Sequence, residues 1–66
     1  MTNPKANESC RAAISISGVA IADLVHALSP ELTARQSISF LLAARSRLSA
    51  AVTQVTDAIA VLGKEG

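Results

Sequence analysis

The feature that most constrains this chain is an apolar heptad repeat running through its second half. Nine positions alternate spacings of four and three residues, and eight of them carry an apolar side chain. They are Ala34, Ile38, Leu41, Arg45, Leu48, Val52, Val55, Ile59 and Leu62. A repeat of about 3.5 residues is typical of a long helix that packs one stripe against other helices. We therefore predict that the eight positions from Ile38 to Leu62 form a core seam that also serves as a dimer interface.

The first half of the chain carries a shorter apolar stripe with the same alternation. Its members predict a first helix over about residues 6–28, with Cys10 and Leu24 widening the same face. The stripe consists of Ile14, Gly18, Ile21, Val25 and Leu28. Residues 14–17 also alternate with period two, which is a strand pattern. We favour the helix because a single strand has no partner elsewhere in the chain.

The segment between the two stripes predicts a tight turn at residues 29–30. Ser29 is a good N-cap and Pro30 suits a first helical position, so a second helix over about 31–62 follows, ending by Gly63. Thr33 and Gln36 form an alternative start signal, a capping box that implies a slightly longer loop. A short connection makes the helices antiparallel. The predicted fold is all-α, a single helical-hairpin domain over residues 1–66.

The chain is so small that its predicted hairpin needs another molecule to cover its apolar side chains. It has 66 residues, of which 50% are hydrophobic, with one aromatic residue and one cysteine. The second helix is about 48 Å long and the first about 35 Å, at 1.5 Å per residue. We expect this overhang to leave an apolar patch around Val55, Ala58, Ile59 and Leu62 exposed. A second copy is the simplest cover, so we predict a homodimer with a four-helix bundle.

No residue pattern indicates catalysis, a cofactor or a metal site. His26 has no second ligand at a suitable spacing, and Cys10 fits a small buried apolar residue. Arg45 interrupts the seam, and two interpretations stay open for it. It either extends its guanidinium to solvent, meeting Asp23 or Glu8 of a neighbouring chain, or presents it to a partner. We therefore expect no enzyme activity and no cofactor.

Charge and hydropathy predict the compartment. The net charge is +1, which gives no strong field for phosphates or anionic lipid. The longest run without a charged residue, 12–22, is much shorter than the about 20 residues of a membrane span. A signal peptide is the alternative, since Lys5 and Arg11 precede that run, but Glu8 lies in the basic region and Ser15 dilutes the apolar one. We expect a cytoplasmic protein without a membrane partner.

Large or bidentate side chains off the seams are the candidate partner contacts. We predict an anchor of Phe40 and Arg47, because aromatic and arginine side chains dominate binding energies at protein interfaces. Arg35, Ile16 and Val19 are predicted as lesser contacts. Three classes compete: a protein-interaction module that blocks a larger target, an RNA-binding helical-hairpin dimer that regulates a plasmid or phage transcript, and an enzyme. The arginines form no basic stripe and no polar pocket is evident, so we favour the first.

The general form of the chain resembles a known group of proteins. Its size, the polar opening Met1-Thr2-Asn3, the Ser29-Pro30 turn and the Ala/Ser-rich second helix are similar to small helical proteins made early in infection by Pseudomonas phages, in particular the quorum-sensing anti-activator family. The resemblance implies a dimer in the host bacterial cytoplasm that binds the DNA-binding part of a transcriptional activator. It also implies other host partners, such as a pilus-assembly ATPase.

Overall fold

Two antiparallel helices make up the protein in a computed structural model that describes residues 3–65. Helix α1 is Pro4–Ala27 and helix α2 is Ala34–Glu65. The predicted all-α hairpin is confirmed. Its Cα atoms extend over 50 × 14 × 11 Å. Met1 and Thr2, which belong to the polar opening noted above, and Gly66 lie outside the described residues.

Helix α1 begins at Pro4, near the predicted start, because Asn3 caps it. The side-chain oxygen of Asn3 accepts a hydrogen bond from the backbone N–H of Ala6 at 3.0 Å. Pro4 then occupies the first turn, where its missing N–H leaves no hydrogen bond unmade. At the other end, the N–H of Leu28 donates to the carbonyl of Val25 and that of Ser29 to the carbonyl of His26. These bonds end the helix at Ala27.

The connection between the helices is longer than the predicted turn at 29–30. It spans residues 28–33, and the alternative start signal is the one the chain uses. The N–H of Thr33 donates to the Gln36 side-chain oxygen at 2.9 Å, and the N–H of Gln36 donates to the Thr33 hydroxyl at 3.2 Å. This reciprocal capping satisfies two backbone donors at once, so the helix starts at Ala34 and not at Glu31.

The predicted overhang of α2 is wrong. Helix α2 continues through Gly63 to Glu65, and the Asn3 side-chain amide donates to the Glu65 carboxylate. Ala58 is buried against α1. The last turns of α2 therefore lie level with the start of α1. The additional length of α2 is divided between its ends, since Ser37 contacts the last residue of α1, Ala27, and Val61 lies beside Lys5 at the start of α1.

All the buried residues in the described part of the chain are alanines that lie between the helices. Three buried alanines seven residues apart line α1, and three at the same spacing line α2. They are Ala6, Ala13 and Ala20, and Ala44, Ala51 and Ala58. Ser37 extends the α2 row, and its hydroxyl donates to the carbonyl of Ala27 at 3.4 Å. Such small side chains let two helix backbones approach closely. Among residues 3–65, no large side chain is fully buried.

The predicted core seam therefore lies outside the hairpin core. Ile38, Leu41, Leu48, Val52, Val55 and Ile59 are exposed, Leu62 is half-buried, and Arg45 is exposed. The α1 stripe is exposed too, at Ile14, Gly18, Ile21, Val25 and Leu28. Each helix carries two heptad rows, and the row of methyl groups closes the hairpin. The rows of large side chains remain available for contacts that one chain does not supply.

Enlarging a core alanine should destabilise the hairpin. Ala51→Leu places an isobutyl group where only a methyl group fits, so we expect the free energy of unfolding to fall by about 1–3 kcal/mol. Ala60→Leu makes the same change at an exposed position of α2, with an expected effect within about 0.5 kcal/mol. Urea denaturation followed by circular dichroism measures both. Equal effects of the two substitutions would contradict the alanine core.

Candidate protein-interaction faces

The two alanine rows divide the hairpin into two broad faces. One side carries a shallow groove, lined by residues of both helices: Ser15, Ile16, Val19, Ser46, Arg47 and Ala50. We call this side the small-residue face. Successive residues of a helix are rotated by about 100°, so residues one and four positions after each core alanine lie on the other side of the row. We call that other side the apolar face.

The apolar face carries nearly all the exposed large hydrophobic side chains of the described chain. They are 40–81% exposed. From α1 and its C-cap they are Ile14, Ile21, Leu24, Val25 and Leu28, and from α2 they are Ile38, Leu41, Leu42, Leu48, Val52, Val55 and Ile59. A continuous exposed surface of this kind marks a site of association with another molecule.

Arg45 lies within the apolar face. It follows the core alanine Ala44 directly, which places it in the same row as Ile38, Val52 and Ile59. In the described part of the chain, Arg45 makes no ion pair, and Asp23, one of its two suggested partners, is paired with Arg47. The two interpretations of Arg45, solvent-directed or partner-directed, both stay predictions.

The structure brings three of the five predicted partner contacts together. Ile16, Val19 and Arg47 line the groove of the small-residue face. Phe40 stacks on the ring of His26, with ring centroids 5.3 Å apart and an interplanar angle of 28°. Arg35 is exposed in the first turn of α2 and does not line the groove. Phe40 and Arg47 are half-buried, so part of each predicted anchor is used inside the hairpin.

An ion pair between Asp23 and Arg47 crosses from α1 to α2 beside the groove. The Asp23 side chain is 13% exposed and that of Arg47 is 42% exposed. The pair also contributes to the alignment of the helices, because a shift of one heptad along the alanine rows would break it. Such a shift separates Asp23 from Arg47 and His26 from Phe40. These polar and aromatic contacts therefore favour one register.

Sequence reasoning missed the alanine rows and the Asp23–Arg47 pair. The rows were visible as alanines at spacings of seven in both helices. The core was nevertheless assigned to the large apolar repeats, because such repeats usually form the core. The pair had no signal in local spacing, since its members are 24 residues apart. Only the packing of α1 on α2 places them side by side.

The first helix meets the length and composition of a membrane span. Within the described residues, Pro4–Ala27 is the one such helix, and 11% of its most apolar window is buried. The short uncharged run 12–22 led us to expect no membrane span. That criterion was too strict, because a single charged residue, Asp23, separates this run from the apolar residues that follow it. Core helices and signal sequences pass the same test, so the compartment stays a prediction.

Metal-binding groups do not cluster in the described part of the chain. No three His, Cys, Asp or Glu side chains lie close enough to hold an ion there. Cys10 is a half-buried free thiol four residues after Ala6, at the edge of the apolar face.

Comparison with known proteins adds no relative. No family, no curated protein and no solved structure matches this chain.

The ion pair should show a measurable coupling energy. In a double-mutant cycle of Asp23→Ala and Arg47→Ala, we expect a coupling of about 0.5–1 kcal/mol, because the pair is partly shielded from water. The coupling should shrink in 1 M salt, where the screening length is about 3 Å. A cycle of Asp23→Ala with Arg45→Ala is the matched control, with no expected coupling. Urea denaturation gives all the values, and a larger coupling to Arg45 would contradict the observed pairing.

Proposed function

We propose that this protein is a non-enzymatic interaction module that works as a homodimer. The observation that carries the proposal is the apolar face. A hairpin that buries only alanine, and exposes its large aliphatic side chains along one side, has an incomplete core. Chains of this size commonly complete their core by oligomerising. Two apolar faces in contact make a four-helix bundle with alanine rows within each hairpin and large side chains at its centre.

The dimer leaves the small-residue face of each chain outward, and we assign partner binding to that face. Its groove combines aliphatic side chains of Ile16 and Val19 with the Arg47 guanidinium. Part of this guanidinium is exposed even though it pairs with Asp23. A helix with small apolar residues and one carboxylate is a suitable partner, because the carboxylate can share Arg47.

The biological role that we propose is inhibition of a host protein by a phage-type protein. The module binds a host transcriptional activator, a quorum-sensing regulator, in the bacterial cytoplasm and blocks its binding to DNA. It also binds further host proteins. Support comes from the resemblance in general form to the anti-activator family and from the exposed groove. Preformed helices also suit an inhibitor, because little order has to be created on binding.

The RNA-binding alternative lacks support in the described residues. Nucleic-acid binding through phosphates needs a basic stripe. Arg47 is paired with Asp23, Arg45 lies on the apolar face, and Arg35 lies apart in the first turn of α2. The three guanidinium groups therefore point in different directions and form no stripe.

The dimer proposal can be tested with two equivalent substitutions. Val55 on the apolar face and Val19 on the small-residue face are both 47% exposed. Val55→Lys buries a charge in the proposed interface and should give a monomer of 6.8 kDa. Val19→Lys should keep the dimer, at about 13.6 kDa, twice the mass of one chain. Sedimentation equilibrium measures both masses. A wild-type monomer with full helicity would refute the proposal.

The partner proposal can be tested by capture from host lysate with and without nuclease. We expect the tagged protein to retain a DNA-binding regulator in both conditions. Val19→Lys should weaken that binding about tenfold or more, since a central interface residue contributes roughly 2 kcal/mol. Ala60→Lys, on α2 near the chain ends, is the control and should bind normally. Capture of RNA alone, lost after nuclease, would instead favour the nucleic-acid alternative.

A further inference from the structure

We infer that the two hairpins pack with their connecting loops at opposite ends of the bundle. The inference rests on the homodimer proposed above. In this arrangement the twofold axis is perpendicular to the helices, so each α2 packs antiparallel against α2 of the partner subunit, and each α1 against its counterpart. The other twofold arrangement brings both loops to the same end and pairs α1 with α2 across the interface.

The pattern of the apolar face favours a second copy as its occupant. Its α2 row keeps spacings of three and four from Ile38 to Leu62, a period of about 3.5 residues that suits knobs-into-holes packing with a helix. A lipid surface needs a broad apolar arc and no such period. The long and broad extents of 50 and 14 Å give the face about 700 Å² in projection, near the roughly 800 Å² that each partner buries in a stable complex.

The apolar face is thicker at the loop end than at the end with the chain termini. Near the loop, both helices present large side chains, among them Leu24 of α1, Leu28 at its C-cap, and Ile38 and Leu41 of α2. Towards the termini, the corresponding α1 positions hold Ser17 and Cys10, whereas α2 keeps large side chains to its end at Ile59 and Leu62. The taper therefore comes from α1, whose small half lies at the end with the chain termini.

When the two loops lie at opposite ends of the bundle, the thick part of one apolar face packs against the thin part of the other. Helical interiors fill space at nearly constant density, so uniform thickness along the bundle is the better-packed solution. Loops at the same end would crowd leucines at one end and leave gaps beside Cys10 and Ser17 at the other. The taper therefore selects the arrangement.

The α2 row also matches itself when it is reversed. The midpoint of α2 lies near residue 50, and rotation about that point places Ile38 opposite Leu62 of the partner subunit and Leu41 opposite Ile59 of the partner subunit. Arg45 then faces Val55 of the partner subunit, and Leu48 faces Val52 of the partner subunit. Every large apolar residue of the row except Val55 gains an apolar neighbour, and Arg45 stays about 15 Å along the axis from its own copy.

Gly18 lies close to this proposed axis. A Cβ atom at Gly18 would meet nothing within 4 Å inside the hairpin, so packing of α1 on α2 does not require glycine there. In the arrangement with loops apart, Gly18 lies in the middle of α1, where this helix packs on its counterpart in the partner subunit. The missing side chain lets the partner helix approach the α1 backbone there. Gly18, costly in a helix by about 1 kcal/mol relative to Ala, thereby has a packing role.

Spin-label distances distinguish the two arrangements. We would replace Cys10 by serine and label Glu31→Cys in the loop, or Lys64→Cys near the C-terminus. With loops apart, each pair of labels should be about 40–50 Å apart, near the 50 Å length of the hairpin. With loops together, both distances should be below about 25 Å, given helix spacings of about 10 Å. Ser49→Cys, near the middle of α2, is the control and should give a short distance in either arrangement.

The outcomes separate failure of the inference from failure of the homodimer. Long distances at Glu31 and Lys64, with a short one at Ser49, support loops at opposite ends. Short distances at all three sites overturn this arrangement and leave the dimer intact. Absence of any coupling, with a mass of 6.8 kDa by sedimentation, overturns both. Monomers that bind neutral phosphatidylcholine vesicles would identify a lipid surface as the occupant and also overturn both. Circular dichroism checks that each labelled variant stays helical.

Discussion

Close packing of two alanine rows is the contact on which the rest of this structure depends. Methyl groups at Ala13, Ala20, Ala44 and Ala51 let the helix backbones approach, which gains dispersion contacts but buries little apolar area. Large side chains do not fit between helices this close. They lie on the flanks of the rows, and the heptad spacing gathers them on one side. An incomplete core follows directly from the small size of the residues that close the hairpin.

Register and the proposed assembly consequently involve different residues. Alignment within the hairpin is favoured by Asp23 with Arg47, by the His26–Phe40 stack and by the contact of Asn3 with Glu65. The proposed assembly depends on the apolar face, which shares none of these residues. Substitutions on one side can therefore change the oligomeric state without altering the fold of the hairpin, and this separation makes the two proposed roles testable independently.

The proposed function uses both faces in different ways. The apolar face completes a core with a second copy, and the small-residue face, with Ile16, Val19 and Arg47 around its groove, is left for a partner. Such a molecule acts by covering a surface, which requires shape and a few anchoring contacts. A preformed helical scaffold supplies these contacts at low entropic cost.

The sequence by itself determined the two helices and their antiparallel pairing, because these features depend on local periodicity and on the short connection. It indicated the capping box of Thr33 and Gln36 only as an alternative to a helix start after Ser29. It did not determine which heptad row closes the hairpin. Rows through Ala51 and through Val52 have the same period and lie on adjacent strips of one helix, so both are compatible with a helical partner. Only the tertiary structure decided between them, because the choice depends on how closely α1 and α2 approach. The same packing placed Asp23 beside Arg47, a pairing that no spacing along the chain encodes.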